Sequence, residues 1–502
     1  MSEYRLELNN ITKNFPGVRA LNKVSFQLLP GEIHAIMGEN GAGKSTFIKV
    51  ITGVHQPDEG EIYLEGKQVE FKTPLDAQRH GIAAIYQHVT SYPHLSVAEN
   101  IFMGHERVKR GFLQWKEMNR RAEDLLKPLH VSFSPTALMS SLSVAQQQMV
   151  EIAKALSMNA NIIIMDEPTA ALTKSESEEL YRITENLRDE GKSIIFISHR
   201  LEDMYRLSSR VTVFRDSNYI GTYDTDTITE PELIKAMVGR EIKELFPKPE
   251  ITPGDEVLRI DGLSRTGYFK DVSLDVRRGE IVGLTGLVGA GRTEVVQTIF
   301  GIERHDAGSI YLEGKPVTIR KPQDAQRLGI GLLTEDRQQQ GLILDWGIGK
   351  NITLPELKRY AKYGVLSEEK ECCDAKRLAE RVDVKANSLF DKGSSLSGGN
   401  QQKVVVAKAL NSDLKVLIMD EPTKGVDVGA KAAIYEIMGE LAKQGLAIIM
   451  ISSEMPEILG MCDRIFVMCD GRVTGELGRV AASQERILEF AMIKHARSKQ
   501  GA

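Results

Sequence analysis

The sequence predicts an α/β protein built twice over. Each half has a mainly parallel sheet at its core, a small antiparallel β subdomain and a helical subdomain. Three observations lead there: a long internal repeat, short apolar runs that alternate with helical stretches, and a glycine-rich loop set between one such run and a helix.

The repeat fixes the organisation. GEIHAIMGENGAGKST, from Gly31, returns as GEIVGLTGLVGAGRTE from Gly279, and IYLEGKQVEFKTPLDAQRHGI, from Ile62, returns as IYLEGKPVTIRKPQDAQRLGI from Ile310, both 248 residues on. LSVAQQQMVEIAKAL, from Leu142, returns as LSGGNQQKVVVAKAL from Leu396, 254 residues on, and IMDEPTAALT returns as IMDEPTKGVD at the same spacing. The second half has therefore gained six residues between about Gly331 and Leu396. A period near 250 residues in a chain of 502 is a domain duplication, not a solenoid. The join is PKPEITPGD, where three prolines and a glycine break helix and strand. The expected organisation is a first domain over 1–246, a linker over 247–255 and a second domain over 256–502.

Within each half, runs such as NIIIMDE and SIIFISH are short, apolar and bounded by turns. They alternate with helical stretches such as SESEELYRITENLRDEGK, the pattern of a parallel sheet covered by helices on both faces. YRLELNNITKNF and VSFQLL alternate more and predict the small antiparallel sheet. The stretch from about Leu95 to Ser140 is helix-rich and predicts the helical subdomain.

Composition narrows the function classes. With 42% hydrophobic and 26% charged residues and a net charge of −5, nothing favours nucleic acid as a partner. No run approaches the ~18–20 apolar residues that span a bilayer. The start, MSEYRLELNN, lacks the basic-then-apolar pattern of an export signal, so a cytosolic chain is expected. Cys372, Cys373, Cys462 and Cys469 form no CxxC pair and read as reduced thiols. The basic cluster Glu106–Gly111 reads as solvated surface.

Chemistry concentrates at GENGAGKS, Gly38–Ser45, which matches GxxxxGK[ST] between the apolar EIHAIM and the helical TFIKVITG. Glycines at Gly38, Gly41 and Gly43, with Glu39, Asn40 and Ala42 between them, let backbone N–H groups converge on phosphate oxygens. The following helix start, with Thr46, adds positive dipole. In this motif Lys44 reaches the β/γ-phosphates and Ser45 ligates Mg²⁺. Asp166 ends an apolar run and is placed to hold Mg²⁺, with Glu167 next to it as base or water-positioning group. Both halves repeat this acid pair, each time followed by PT.

These motifs resemble those of ATP-binding cassette ATPases. LSGGNQQK at Leu396–Lys403 is similar to the family's signature loop, and the order of elements matches along nearly the whole chain. The resemblance implies two tandem phosphate-loop ATPase cassettes using ATP and Mg²⁺. It makes Gln87 the glutamine that senses the γ-phosphate and the metal, and His199 the histidine that contacts the γ-phosphate. Phe15 resembles the aromatic that stacks on adenine, although core packing is open to it as well.

The halves are not equivalent. Asp420 and Glu421 match Asp166 and Glu167, but Arg292 stands for Lys44, Glu335 for Gln87, Ser453 for His199, and Thr293 for Ser45. Conversely, Ala145 stands where the second signature has Gly399. In the family, each ATP lies between one cassette's phosphate loop and the other's signature. The resemblance thus groups Lys44, Ser45, Gln87, Asp166, Glu167 and His199 with Ser397, Gly398, Gly399 and Gln401. It groups Arg292, Thr293, Glu335, Asp420, Glu421 and Ser453 with Ser143 and Ala145. Every departure falls on the second group. Arginine is planar and bulkier than lysine. Glu335 brings negative charge near phosphate unless metal or protonation offsets it. Ala145 adds a methyl where backbone should approach phosphate closely. One hydrolytic site, and one that at most binds nucleotide, is expected.

LLTEDR, DEPTKGVDVGAK and ISSEMPEIL, with the fused layout, resemble the ATPases of bacterial monosaccharide importers. That implies a peripheral protein on the cytoplasmic face of the inner membrane, one chain per transporter. Its partners would be integral membrane permease subunits and, through them, a periplasmic or lipid-anchored sugar-binding protein. A nucleoside importer has a similar layout, so the cargo stays open. A soluble cassette protein acting on ribosomes or DNA fits less well, for want of a long charged linker or a cysteine-rich insert.

Overall fold

The computed structural model describes residues 3–16, 18–86, 91–129, 131–169, 172, 174–198, 200–239, 246–287 and 289–493. The chain forms two compact units, Met1–Ile242 and Lys243–Ala502.

In the first unit the central strands run in the order Arg210–Arg215, Ile33–Met37, Ser193–Ile197, Ile162–Asp166 and Ile82–Ile85, all parallel. Strands covered on both faces by helices have no polar side, which is why IHAIM and SIIFI are buried at every position. Beyond Arg210–Arg215 lies Asn218–Asp224, antiparallel to it. One pairing, Asn218 to Asn22, joins this sheet to the antiparallel strands Leu6–Phe15, Val18–Leu28, Glu59–Leu64 and Lys67–Val69. Asn22 Nδ2 donates to Asn218 Oδ1 across that seam at 2.8 Å.

The second unit repeats the plan as separate sheets. Four antiparallel strands are ordered Phe269–Arg277, Glu256–Arg265, Ala307–Leu312 and Lys315–Val317. Six more are ordered Ile330–Leu333, Val416–Asp420, Ala447–Ile451, Ile281–Gly286, Arg464–Cys469 and Arg472–Gly478.

The helical subdomains form where the sequence placed them. Val97–Phe102 and Trp115–Leu126 pack with Val144–Ser157 around Ile101, Met118, Ala122 and Val150. Ser96 and Glu99 cap the first of these helices reciprocally. The basic cluster sits on an exposed hairpin, Val108–Lys109 with Phe112–Leu113.

The six extra residues of the second half are not in one place. Asn100 and Asn351 fill the same role 251 residues apart, each bonding the loop that precedes its helix. Three residues are therefore gained before Asn351, next to the π-helical turn Arg337–Gly341, and three after it. The proline-rich stretch 247–255 lies along the second unit. Lys248 Nζ is 2.6 Å from Asp463 Oδ2, Gly254 N donates to Arg278 O, and Pro249 fills the space beside Gly439.

Candidate nucleotide sites

Both units place their motifs at the carboxyl ends of the parallel strands, where open α/β sheets bind ligands. In the first unit Met37 ends one strand and Gly38 opens the phosphate loop. Gly38 has φ +155°, and a Cβ there would lie 2.2 Å from Phe214 O, so no other residue fits. Gly43 is left-handed (φ +101°) and caps the helix Lys44–Ile51; a Cβ on it would meet Ala20 O at 2.5 Å. Glu39, Asn40, Gly41 and Ala42 form the crown between them, closed by Ala42 N donating to Glu39 O. Lys44 Nζ folds back into the loop, donating to Gly38 O at 2.6 Å and Glu39 O at 3.0 Å. Ser45 and Thr46 follow in the helix's first turn, Ser45 exposed. That geometry leaves a cation inside a cradle of backbone, at the positive end of a helix dipole.

Asp166 pairs in register with Ile197 on the neighbouring strand. Burial, reinforced by the charge of Glu167, pushes the Asp166 carboxyl up to about 6. Glu167 has φ +48° and its amide donates to Ile197 O at 2.8 Å. Glu421 repeats both features, with φ +47° and a bond to Ile451 O at 2.9 Å. A left-handed non-glycine costs about 1 kcal/mol. The same backbone turn thus follows both acid strands. Gln87 and His199 lie outside the described residues, but Ser198, which leads into His199, directly follows the strand Ser193–Ile197, next to the strand that Asp166 ends. Phe15, 36% exposed at the end of its strand, meets His55 edge-on at 5.1 Å with Lys13 Nζ 5.8 Å from the ring.

The second unit keeps the frame and changes the wiring. Gly286 again has a φ near +153° against backbone, and Arg292 and Thr293 open the helix Arg292–Ile299. The Arg292 side chain does not fold into the loop as Lys44 does. Its Nη1 donates to Ser452 O at 3.0 Å and lies 3.7 Å from Glu421 Oε1. Ser453 Oγ donates to the other Glu421 oxygen at 3.2 Å. Burial raises the Glu421 carboxyl, while Ser453 and Arg292 oppose that. Burial pushes Asp420 up to about 6, against a bond from Thr293 and with the charges of Glu335 and Glu421 adding. Asp420 Oδ1 is buried with no hydrogen-bond partner among the described residues.

Sequence reasoning left the Glu335 charge without a protein partner. Lys424 supplies one, Nζ to Oε1 at 2.5 Å. The signal was present: Lys424 stands where the first half has Ala170, so the acid and its cation arrive together. Arg337 was also missed; it ties the same turn by donating to Lys424 O and Gly425 O.

The signature loops open helices in both units. Ser143 caps Val144–Ser157 in a reciprocal box with Gln146, and Ser397 caps Gly398–Ala409. Gly399 is also needed for packing within the unit. A Cβ there would sit 2.4 Å from Ala430 Cβ, so the glycine lets its helix pack on Val428–Lys443. A Cβ on Gly398 would lie 2.7 Å from Arg337 Nη2, the movable end of a side chain. Gln401 is buried and spends its amide inside the unit, donating to Gly393 O and accepting from Gln338.

A phosphate cradle, an acid-ended strand and a signature-type helix, each built twice, define a tandem nucleotide-binding protein. The ABC transporter family matches at residues 21–170 and 269–424. A ribose import ATP-binding protein of Rubrobacter xylanophilus is 48% identical over 486 residues, covering 97% of this chain and 98% of that one. A putative ribose/galactose/methyl galactoside import ATP-binding protein of Geobacillus kaustophilus is 48% identical over 494 residues, covering 98% of both. Among solved structures, a nucleotide-free ATP-binding cassette from an ABC transporter is 27% identical with a TM-score of 0.43, covering 47% of this chain and 100% of that one. The chain belongs to the ABC transporter family, as an ATP-binding protein carrying two cassettes.

Proposed function

We propose that this chain is the ATP-hydrolysing, energy-coupling subunit of an importer for a simple sugar of the ribose type. The observation that carries this reading is identity near 48% along the full length to proteins named for ribose and galactose import, joined to a duplicated phosphate-loop site. Among the described residues no helix is long and apolar enough to cross a membrane, so the reading includes separate permease subunits. It also includes a sugar-binding protein outside the membrane, a single copy of this chain per transporter, and a place on the cytoplasmic face of the membrane. A groove of about 830 Å³ in the second helical subdomain, lined by Trp346, Leu354, Leu357, Leu366, Leu389 and Phe390, supports an apolar protein partner. Exposed Phe112 and Trp115 on the first unit do so as well.

Hydrolysis is assigned to the first unit. Lys44 and the loop amides hold the phosphates, Glu167 orients and deprotonates the attacking water, and His199 contacts the γ-phosphate. The donor set at Ser45 and Asp166 suits a divalent cation, because a buried carboxyl held near 6 beside Glu167 is stabilised by added positive charge. Mg²⁺ there, with Gln87 as a further ligand, would neutralise charge on the transferred phosphoryl group. In the second unit Arg292 engages Glu421, which favours nucleotide binding without turnover. The test is recovery of the chain from gently solubilised native membranes. A multi-spanning permease in the recovered complex, and a companion binding protein that takes pentoses or hexoses, supports the reading. A companion that takes only nucleosides reassigns the cargo, and recovery with ribosomes and no permease overturns the transport role.

A further inference from the structure

The strongest unassigned feature is a buried carboxylate behind the first unit's strand ends. Asp203, in the helix Leu201–Leu207, is fully buried and collects three hydroxyls from three different elements. Thr169 Oγ1 and Ser198 Oγ donate to Oδ2 at 2.5 and 2.8 Å, and Tyr181 OH donates to Oδ1 at 2.5 Å. Thr169 is two residues beyond Glu167, and Ser198 is the residue before His199. Ser198 Oγ in turn accepts from Arg200 N at 3.0 Å, so the turn is gripped on both sides of residue 199.

The second unit carries the same knot at the matching positions. Glu457 accepts from Thr423, Tyr435 and Ser452 at 2.6, 2.6 and 2.7 Å. It differs in the longer acid and in an added cation: Lys431 Nζ lies 3.2 Å from Glu457 Oε1. Where Lys431 stands, the first unit has Ser177, whose Oγ is buried with no hydrogen-bond partner among the described residues. Arg200 Nη1 lies 4.0 Å from Asp203 Oδ1, and its side chain is 42% exposed. A buried charge held chiefly by hydroxyl donors is costly unless geometry and donors are well satisfied. Its retention with three short bonds points to a role in fixing geometry.

We infer that Asp203 is a positioning residue for ATP hydrolysis, locking the turn that carries His199 to the turn that carries Glu167. This rests on the ATPase reading above. Charge-assisted bonds to a carboxylate are about twice as strong as neutral ones, so the lock holds two loops whose spacing decides catalysis. The asparagine variant has the same shape but replaces one acceptor oxygen with an NH₂ group, so at least one hydroxyl loses its partner.

The experiment compares steady-state ATP hydrolysis by the full-length wild type, Asp203→Asn, and Asp203→Glu combined with Ser177→Lys, which transplants the second unit's version of the knot. Melting temperatures are measured alongside. The expected result for Asp203→Asn is a kcat lowered by roughly 10- to 100-fold, the scale of a mispositioned catalytic group, with KM for ATP nearly unchanged. The transplanted pair is expected to recover most of that loss. An unchanged kcat in folded Asp203→Asn overturns the inference, as does a loss of kcat that only tracks loss of folded protein. If Asp203→Asn does not fold, Ser198→Ala, which removes one donor and leaves the charge in place, decides by the same split of kcat from KM. A wild type that does not hydrolyse ATP defeats the ATPase reading itself; a hydrolysing wild type with an indifferent Asp203 defeats only this inference.

Discussion

Arg292 Nη1 lies 3.7 Å from Glu421 Oε1, whereas Lys44, at the same place in the first unit, turns back onto Gly38 O and Glu39 O. The longer, forked side chain reaches across the strand ends to Ser452 O and leaves its charge beside the acid. With the guanidinium beside one Glu421 oxygen and Ser453 Oγ bonded to the other, an attacking water must compete for the carboxylate. Glu167→Gln is therefore expected to lower ATP turnover by on the order of 10²- to 10⁴-fold, the scale of a lost general base. Glu421→Gln should leave most of it. Single-turnover and steady-state hydrolysis by both variants check this, and equal losses would remove the asymmetry between the units.

The acid ends of the parallel strands should weaken the fold when nothing is bound. The Asp166 carboxyl rises from its ordinary 3.8 to about 6, through burial and then the charge of Glu167. A raised folded-state value means that the folded chain binds this proton more tightly than the unfolded chain does. The cost of ionising it appears as pH climbs from about 4 to 6 and is complete above that. Asp166→Asn removes the cost. Without nucleotide or Mg²⁺ at pH 8 it should stabilise the first unit by about 3 kcal/mol, a rise of several degrees in its calorimetric transition. The gain should shrink below pH 6 and vanish near pH 4. A variant that melts lower than the wild type at pH 8 would show that Asp166 is stabilised by its surroundings.

Gly399 makes a packing prediction with an internal control. A methyl group there would lie 2.4 Å from Ala430 Cβ, well inside contact distance. Gly399→Ala should cost the second unit about 1–3 kcal/mol, the usual range for overpacking a filled site. Adding Ala430→Gly removes the clash and should recover part of it, short of the ~1 kcal/mol that glycine costs within a helix. Thermal unfolding of the two variants reads the difference. No recovery in the double variant would place the cause elsewhere than in this contact.

The fold and the local motifs were legible because their signals are local. Apolar runs buried at every position, such as Ile33–Met37, announce a strand covered on both faces, and the phosphate loop carries its strand and helix with it. The duplication made chance matches improbable. What could not be read were pairings across long sequence distances. Lys424 neutralises Glu335 across 89 residues, Arg292 finds Ser452 across 160, and Asp203 gathers Thr169 and Tyr181 from separate elements. Each partner is an ordinary residue on its own. Gly399 was visible as a glycine, but its close packing on the neighbouring helix was not. Lys424 alone had a sequence cue, since it appears in place of Ala170 in the half that also replaces Gln87 with Glu335.

Asn100 offers the last test, because it holds the segment that leaves the glutamine position. Its Oδ1 accepts from Tyr92 N at 2.8 Å, and its Nδ2 faces the carbonyls of Tyr92, Leu95 and Ser96 at 3.1, 3.4 and 2.9 Å. The side chain is buried, so these backbone groups have no water to fall back on. Asn100→Asp keeps the size and the acceptor but points an oxygen at three carbonyls. It should destabilise the first unit by about 2–4 kcal/mol, combining lost bonds with a buried charge among acceptors. Asn351 makes the same set of bonds to Ile343, Trp346 and Gly347 in the second unit. Asn351→Asp should therefore lower the second unit's transition by a similar amount and leave the first unit's hydrolysis less affected than Asn100→Asp does. Calorimetry with parallel ATPase assays separates the two. If both substitutions reduced turnover equally, the loop after Gln87 would not be the part of the fold on which hydrolysis depends.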